Sequence, residues 1–196
     1  MSAGLNREFV EDYYRNMADN ELLRAVTQDA RNLTPEAIEV IELELKRRNL
    51  HGKASSAVAA QNRQYTLEEI DEYASLLQNL PCPRCKKTSK KLNGGQMAEA
   101  VSVIIFSTLT TYVSIACPQC LDELSDKAQT KTALLGWWGI PWGPIRSVRA
   151  FNINRLSRKV HHSVTPNKYL RSFVLAHIGE IEMDRNNSNK LSLIIK

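Results

Sequence analysis

The residues best suited to chemistry in this chain are its four cysteines, which form two Cys-Pro-x-Cys motifs: Cys82-Pro83-Arg84-Cys85 and Cys117-Pro118-Gln119-Cys120. Two residues between thiols let both sulfurs of a tight turn point at one ion, and two such turns supply a tetrahedral site. The proline in each motif restricts φ and stiffens the turn. We therefore predict one structural Zn²⁺ per chain, bound by Cys82, Cys85, Cys117 and Cys120.

Other roles for paired cysteines fit the sequence less well. Residues 1–8 contain no apolar run typical of a secretory signal, so we expect a reducing cytoplasm, where thiols bind metal more often than they form disulfides. A redox Cys-x-x-Cys would need a thioredoxin-like βαβ pattern, which is missing. A site closed by four thiolates has no position for water, and the chain carries no familiar catalytic motif, so we do not expect an enzyme.

The segment between the two motifs must bring them together. Residues 101–116 contain no charged side chain and are rich in β-branched residues, which favour strands. A membrane-spanning helix needs about 20 apolar residues, and one span would place the two motifs on opposite sides of the bilayer. We predict a β-hairpin with strands at 101–106 and 111–116, and a separate turn at 93–95.

The rest of the chain has the spacing of helices, so the predicted fold class is α+β. A central four-cysteine zinc ribbon with its β-hairpin is flanked by an N-terminal helical hairpin and by C-terminal helices. The predicted divisions are a helical hairpin (1–51), a linker of small and polar residues (52–64), the zinc ribbon with a Trp-rich box (65–145) and a basic helical region (146–196).

Charge divides the chain into an acidic front and a basic back. Residues 1–80 carry 9 Lys/Arg and 14 Asp/Glu, a net of −5, whereas residues 81–196 carry 17 and 7, a net of +10. Within 141–172 there are seven basic residues and no acidic one. Such a bias indicates an anionic partner, because like charges raise the energy of a compact fold.

All three tryptophans lie in one short box broken by glycine and proline, Gly136-Trp137-Trp138-Gly139-Ile140-Pro141-Trp142-Gly143-Pro144. One interpretation is a structural corner, with the indole rings packed on the ribbon. The other is a wedge for the headgroup region of an anionic membrane, continued by a basic helix with an apolar stripe: Ile145, Val148, Ile153, Leu156 and Val160. The candidate partner-binding residues are Trp137, Trp138, Trp142, Arg146, Arg149 and Arg155.

The order of these motifs also resembles a known group of proteins. Leu-Pro-Cys-Pro-x-Cys, a strand-like insertion, Cys-Pro-x-Cys, a short helix and the tryptophan box together resemble bacterial zinc-ribbon proteins of poorly defined function, over roughly residues 80–150. The resemblance implies a zinc site and a membrane-associated setting, and it implies no particular activity.

The sequence thus predicts a non-catalytic zinc-binding scaffold or adaptor that docks on a membrane surface or a protein partner, in the cytoplasm or peripherally at the membrane. The alternative is a nucleic-acid-binding zinc ribbon, because the same arginines could contact phosphates. Against it, the aromatic residues are bunched rather than interleaved with the arginines. No small-molecule substrate is indicated. We expect His161 and His162 to be exposed, and His177 to lie in a core.

Overall fold

The computed structural model describes residues 7–28, 33–104 and 106–196, without the side chains of Asn20 and Lys53. Over this part of the chain the fold is α+β, with ten helices and one two-stranded antiparallel sheet. The elements in order are α1 (Arg7–Arg15), α2 (Asp19–Gln28), α3 (Pro35–Arg47), α4 (His51–Gln61), α5 (Leu67–Gln78), β1 (Asn93–Val103), β2 (Phe106–Ala116), α6 (Pro118–Leu135), α7 (Trp142–Arg158), α8 (Lys168–Ala176), α9 (Ile178–Met183) and α10 (Ser188–Ile194). The chain divides into two compact units, residues 1–66 with 175–188 and residues 67–174 with 189–196.

The first unit is helical, but it is more than the predicted hairpin of two helices, because α1 precedes α2 and α3, and α4 follows them. Thr34 caps α3 by accepting a hydrogen bond from the backbone N–H of Ala37 at 3.3 Å, with Pro35 at the first helical position. The apolar faces of these helices enclose a core that includes Leu22, Val26, Ile41 and Leu45.

Arg48, the residue directly after α3, ties that helix to the end of α1. The Arg48 guanidinium donates to the carbonyl oxygens of Tyr14, Arg15 and Met17, which terminate α1. The same side chain donates to Glu44 at 2.6 Å. Hydrogen bonds from Arg47, helped by those from Arg48, lower the pKa of Glu44 to about 2 although burial opposes this.

The segment 52–64, predicted as a linker, is instead mostly helix α4. Ala54 and Ala57 are fully buried, and the side-chain amide of Gln61 donates to the carbonyl of Val26 at 2.6 Å. A Cβ added at Gly179 of α9 would clash with that amide nitrogen. The small residues that resembled a flexible linker are the residues that allow these helices to approach closely.

The second unit contains the predicted hairpin, but its boundaries differ from the prediction. The strands pair from Asn93↔Ala116 to Val103↔Phe106, so the turn lies inside the predicted strand 101–106. The predicted turn at 93–95 is the start of β1. A Cβ at Gly94 would lie 2.5 Å from the backbone nitrogen of Leu170, so glycine serves close packing here rather than a turn.

Helices α6 and α7 cover the outer edge of β1 with side chains in place of a third strand. Asn154 accepts from the N–H of Ala98 and donates to its carbonyl, both at 2.8 Å. Ser157 accepts from the N–H of Gln96 at 2.8 Å, and Thr132 of α6 accepts from Ala100 at 3.0 Å. Helical side chains therefore satisfy the strand's outward N–H groups, as buried backbone requires.

Replacement of Asn154 by Ala should destabilise the second unit by about 3 kcal/mol, because it leaves a buried N–H and a buried C=O without partners. Urea unfolding followed by tryptophan fluorescence reports this unit alone, since it holds all three tryptophans. Asn152→Ala, an exposed position on the same helix, is the matched control and should change the stability by less than about 0.5 kcal/mol. Equal effects of the two substitutions would contradict this account of the β1 edge.

The Glu44 network makes the first unit sensitive to acid. Because the pKa of Glu44 is lowered on folding, its stabilisation is present above the ordinary value of 4.5 and is lost as the pH falls towards 2. A carboxyl-resolved NMR titration should show a Glu44 midpoint near 2. Glu44→Gln should speed amide exchange in α1 and α3 at neutral pH, whereas Glu39→Gln, exposed on the same helix, should not. A Glu44 midpoint near 4.5 would disprove the network's role.

Candidate metal centre

The structure brings together all four predicted ligands. The sulfur atoms of Cys82, Cys85, Cys117 and Cys120 lie within 4.8 Å of one another, and the Sγ atoms of Cys85 and Cys117 are 3.7 Å apart. Metal–sulfur bonds of about 2.3 Å in a tetrahedral site require sulfurs about 3.8 Å apart. The described part of the chain offers no other group of three or more His, Cys, Asp or Glu residues arranged to hold a metal ion. The donor set and its spacing fit one tetrahedral ion.

The first motif forms a tight turn after α5. The N–H of Lys86 donates to the carbonyl of Cys82 at 2.9 Å, and the N–H of Cys82 donates to the carbonyl of Lys87 at 3.0 Å. Lys86 has φ of 61°, in the left-handed region that favours glycine. Its ammonium donates to the carbonyl of Pro83 at 2.8 Å, so the side chain adds a contact to the turn.

The second motif is built differently, because a helix begins in it. Cys117 lies at the end of β2 and caps α6, with Pro118 at the first helical position. The N–H of Leu121 donates to the carbonyl of Cys117 at 3.0 Å, and the Leu121 side chain is fully buried. The residue after Cys120 therefore continues a helix, whereas Lys86, the residue after Cys85, adopts the left-handed conformation. The start of a helix also favours thiolate sulfur.

The surroundings of the sulfurs shift the thiol pKa values in different directions. Burial alone would raise the pKa of Cys82, but the backbone N–H groups of Cys117, Cys85 and Arg84 lower it to about 7. Burial raises the pKa of Cys117 and of Cys120. A bound metal ion would instead lower the pKa of these thiols, because the thiolate is the form that binds a metal. Exposed lysines beyond the first motif can offset the negative charge of a four-thiolate site: Lys86, Lys87, Lys90 and Lys91.

A buried polar network that the sequence analysis missed supports the second motif. His161, predicted to be exposed, is fully buried, and its Nδ1 lies 2.9 Å from Asp122, two residues after Cys120. Its Nε2 lies 3.1 Å from the Ser157 hydroxyl. Burial lowers the pKa of His161. His162 is exposed, as predicted, and contacts the other oxygen of Asp122 at 2.7 Å.

The order of contacts in this network, Ser157–His161–Asp122, is that of a catalytic triad. Ser157 is fully buried, however, and its oxygen already accepts the N–H of Gln96. A substrate carbonyl cannot reach a hydroxyl in that position, so the network is structural. It joins α6, α7 and β1 beside the cysteine cluster. His177 is partly exposed and contacts Glu180, so the prediction that it lies in a core is wrong.

The Trp-rich box points its glycines inward and its tryptophans outward. Gly136, Gly139 and Gly143 are buried, and the Gly136 carbonyl accepts from the Ser102 hydroxyl of β1 at 2.8 Å. Trp137, Trp138 and Trp142 are 42%, 70% and 58% exposed. The indole rings therefore do not pack inward on the ribbon as a structural corner would require.

Helix α7 likewise buries small or polar residues and exposes bulky apolar ones. The residues on its buried side are small or polar: Gly143, Ser147, Ala150, Asn154 and Ser157. Of the predicted apolar stripe, Ile145, Val148 and Leu156 are exposed, whereas Ile153 packs partly buried beside β1. These small residues recur at helical spacing, and that spacing in the sequence indicates which side of α7 faces the sheet.

The arginines of α7 and α8 fall into two groups. The side chains of Arg146, Arg149 and Arg155 make no ion pair or hydrogen bond within the part of the chain that the structure describes. Arg158 pairs with acidic residues of α6, and Arg171 makes a two-pronged pair with Asp71 at 2.7 Å. The unpaired arginines are the ones that the sequence analysis named as partner-binding candidates.

The hairpin turn adjoins the box and adds residues that the sequence analysis missed, because it placed them in a strand. Val103, Ile104 and Phe106 are exposed. A Cβ added at Gly139 would lie 3.4 Å from the carbonyl of Phe106, which shows how close the two segments are. We call the exposed residues of the box and of this turn the apolar tip: Val103, Ile104, Phe106, Trp137, Trp138, Ile140 and Trp142.

Across the described residues, no helix combines the length and the apolar character needed to cross a bilayer. Comparisons with protein families, curated proteins and solved structures give no match for this chain. The resemblance of residues 80–150 to bacterial zinc-ribbon proteins therefore stays a prediction.

The cysteine cluster should hold one metal ion per chain, and Cys117→Ser should lose that ion and unfold the hairpin region, because binding free energy is folding free energy at such sites. Elemental analysis and circular dichroism measure the two effects. Gln119→Ala changes an exposed residue between two ligands and should keep the ion. Metal-free protein from a purification without chelator, or a folded Cys117→Ser variant, would contradict the assignment.

Proposed function

We propose that this chain is a non-catalytic scaffold, stabilised by zinc, that docks on an anionic membrane surface through the apolar tip and the outer side of α7. The observation that carries the proposal is the orientation of α7 and the box. Their small residues face the sheet, and their bulky apolar residues face outward beside arginines that pair with no described residue. An exposed apolar surface of this kind marks an interaction site.

Zinc is the ion that best suits the cysteine cluster. Four thiolates in a tetrahedral arrangement favour zinc or an iron–sulfur centre, and paired Cys-x-x-Cys turns are typical of structural zinc. A closed site of this type stabilises the base of the hairpin and has no position for a reacting water. Elemental analysis that finds iron in place of zinc would contradict this part of the proposal.

A membrane surface explains the composition of the outward face better than nucleic acid does. Tryptophan prefers the interface between headgroups and acyl chains, and arginine contacts anionic headgroups. The exposed tryptophans share their box with Ile140, and the box adjoins the hairpin turn that carries Ile104 and Phe106. Aliphatic residues at a wedge favour insertion among lipid tails, whereas base stacking uses aromatic rings spaced along a basic groove.

The full chain should therefore bind vesicles of phosphatidylcholine and phosphatidylserine and bind vesicles of phosphatidylcholine alone far more weakly. Arg146→Glu, Arg149→Glu and Arg155→Glu together should abolish binding at low salt, because repulsion replaces attraction to the headgroups. Trp138→Ala should weaken the binding that remains at high salt. Co-flotation measures binding, and a blue shift of tryptophan fluorescence reports insertion, since all tryptophans lie in the box.

A charge-matched control separates docking from net charge. Lys46→Glu, Lys127→Glu and Lys196→Glu change three exposed lysines elsewhere and should leave most of the binding intact. Equal loss of binding in both triple variants would refute the assigned surface. Absence of binding by the native chain at low salt, with retarded DNA or RNA in a gel shift, would refute the membrane proposal and support the nucleic-acid alternative.

A further inference from the structure

The outer edge of β2 has backbone groups that no described residue pairs with. The N–H groups of Gln96, Ala98 and Ala100 point away from β2, so by alternation the neighbouring residues of β1 bond to it. The register Met97↔Tyr112 then fixes which residues of β2 direct their N–H and C=O outward: Ser107, Leu109, Thr111 and Val113. No hydrogen bond from the described residues reaches these groups.

This edge lacks the features by which proteins protect an open strand. Natural edges carry lysines, prolines, bulges or a covering segment, which prevent pairing with another chain. The 11 residues of β2, Phe-Ser-Thr-Leu-Thr-Thr-Tyr-Val-Ser-Ile-Ala, contain no charge, no proline and no glycine. The pairing with β1 runs without a bulge, and Thr110, Thr111 and Val113 are exposed.

We propose that the β2 edge binds a second copy of this chain, so that β2 pairs antiparallel with its counterpart in a four-stranded sheet. The strand suits itself as a partner, because antiparallel self-pairing places no like charges opposite one another. The outward groups of residues 107, 109, 111 and 113 all find partners when the register is centred on Thr110. That register places Thr110 opposite its own counterpart and Leu109 opposite Thr111 of the second copy, and a threonine pair stabilises antiparallel strands. A peptide from another protein would need no such neutrality.

The other edge of the sheet limits the assembly to two copies. Thr132, Asn154 and Ser157 already satisfy the outward N–H groups of β1, so a third strand cannot add there. The same patch then meets itself across a two-fold axis, and such an interface closes as a dimer. That axis is perpendicular to the sheet, so both α7 helices lie on the same face, whereas the two hairpin turns lie at opposite ends of the four-stranded sheet. The proposed dimer does not depend on the proposed docking.

Sedimentation of the full, metal-bound chain without lipid should show a reversible monomer–dimer equilibrium in the micromolar range. Thr111→Pro removes an outward N–H and places a ring on the edge, and it should weaken association at least about tenfold, since the change occurs twice in a symmetric dimer. Thr111→Val keeps the N–H and the neutral strand, and it is the matched control that should still dimerise.

Val113→Lys is a second test that does not depend on tolerance of proline, because it adds only a charge to an exposed edge position. Metal content and tryptophan fluorescence confirm that each variant is folded. Amide exchange by NMR should show concentration-dependent protection at Ser107, Leu109, Thr111 and Val113. A native chain that stays monomeric, a dimer that survives both Thr111→Pro and Val113→Lys, or β2 amides that exchange at one rate at every concentration would each overturn the proposal, whatever the outcome with vesicles.

Discussion

The second unit depends on one constraint: two cysteine pairs, one before β1 and one after β2, must reach a single point. The chain between them can satisfy it only by turning back on itself, and a hairpin in continuous register from Asn93↔Ala116 to Val103↔Phe106 does so. A hairpin alone is marginally stable in water, so its base needs the cysteine cluster and its faces need helices. Buried side chains of α6 and α7 meet the second need by bonding to the backbone of β1.

The sequence predicted the clustering of the four cysteines and the existence of the hairpin, because both follow from spacing. Two pairs of cysteines, each pair separated by two residues, are typical of one metal site, and a β-branched, uncharged run between them favours strands. The start of α3 at Pro35 follows from its capping residue Thr34, which acts locally. These features depend on neighbours in sequence, so a single sequence is enough to reveal them.

The features that the sequence did not reveal are contacts between segments that are distant in sequence and approach closely in the fold. Gly94 looked like part of a turn, Ala54 and Ala57 like a linker, and Ser157 and His161 like parts of a basic surface. Each is buried, because a small or hydrogen-bonding residue is what a neighbouring backbone tolerates. Their partners lie tens of residues away, as for Ala98 with Asn154, so composition alone assigns such residues to loops and surfaces.

The same requirement explains the outward-facing residues of α7. Asn154 can reach both backbone groups of Ala98 only if the helix approaches the strand closely, and a close approach restricts that side of the helix to residues such as Gly143, Ser147 and Ala150. Bulky apolar residues at the remaining positions then have to face away from the sheet. Packing dictates where they point, but it does not require them to be isoleucine, leucine or tryptophan, since charged residues would serve an exposed face better. Their presence beside unpaired arginines is therefore unexplained by folding, and an amphipathic, anionic surface is the environment in which both kinds of side chain are stabilised.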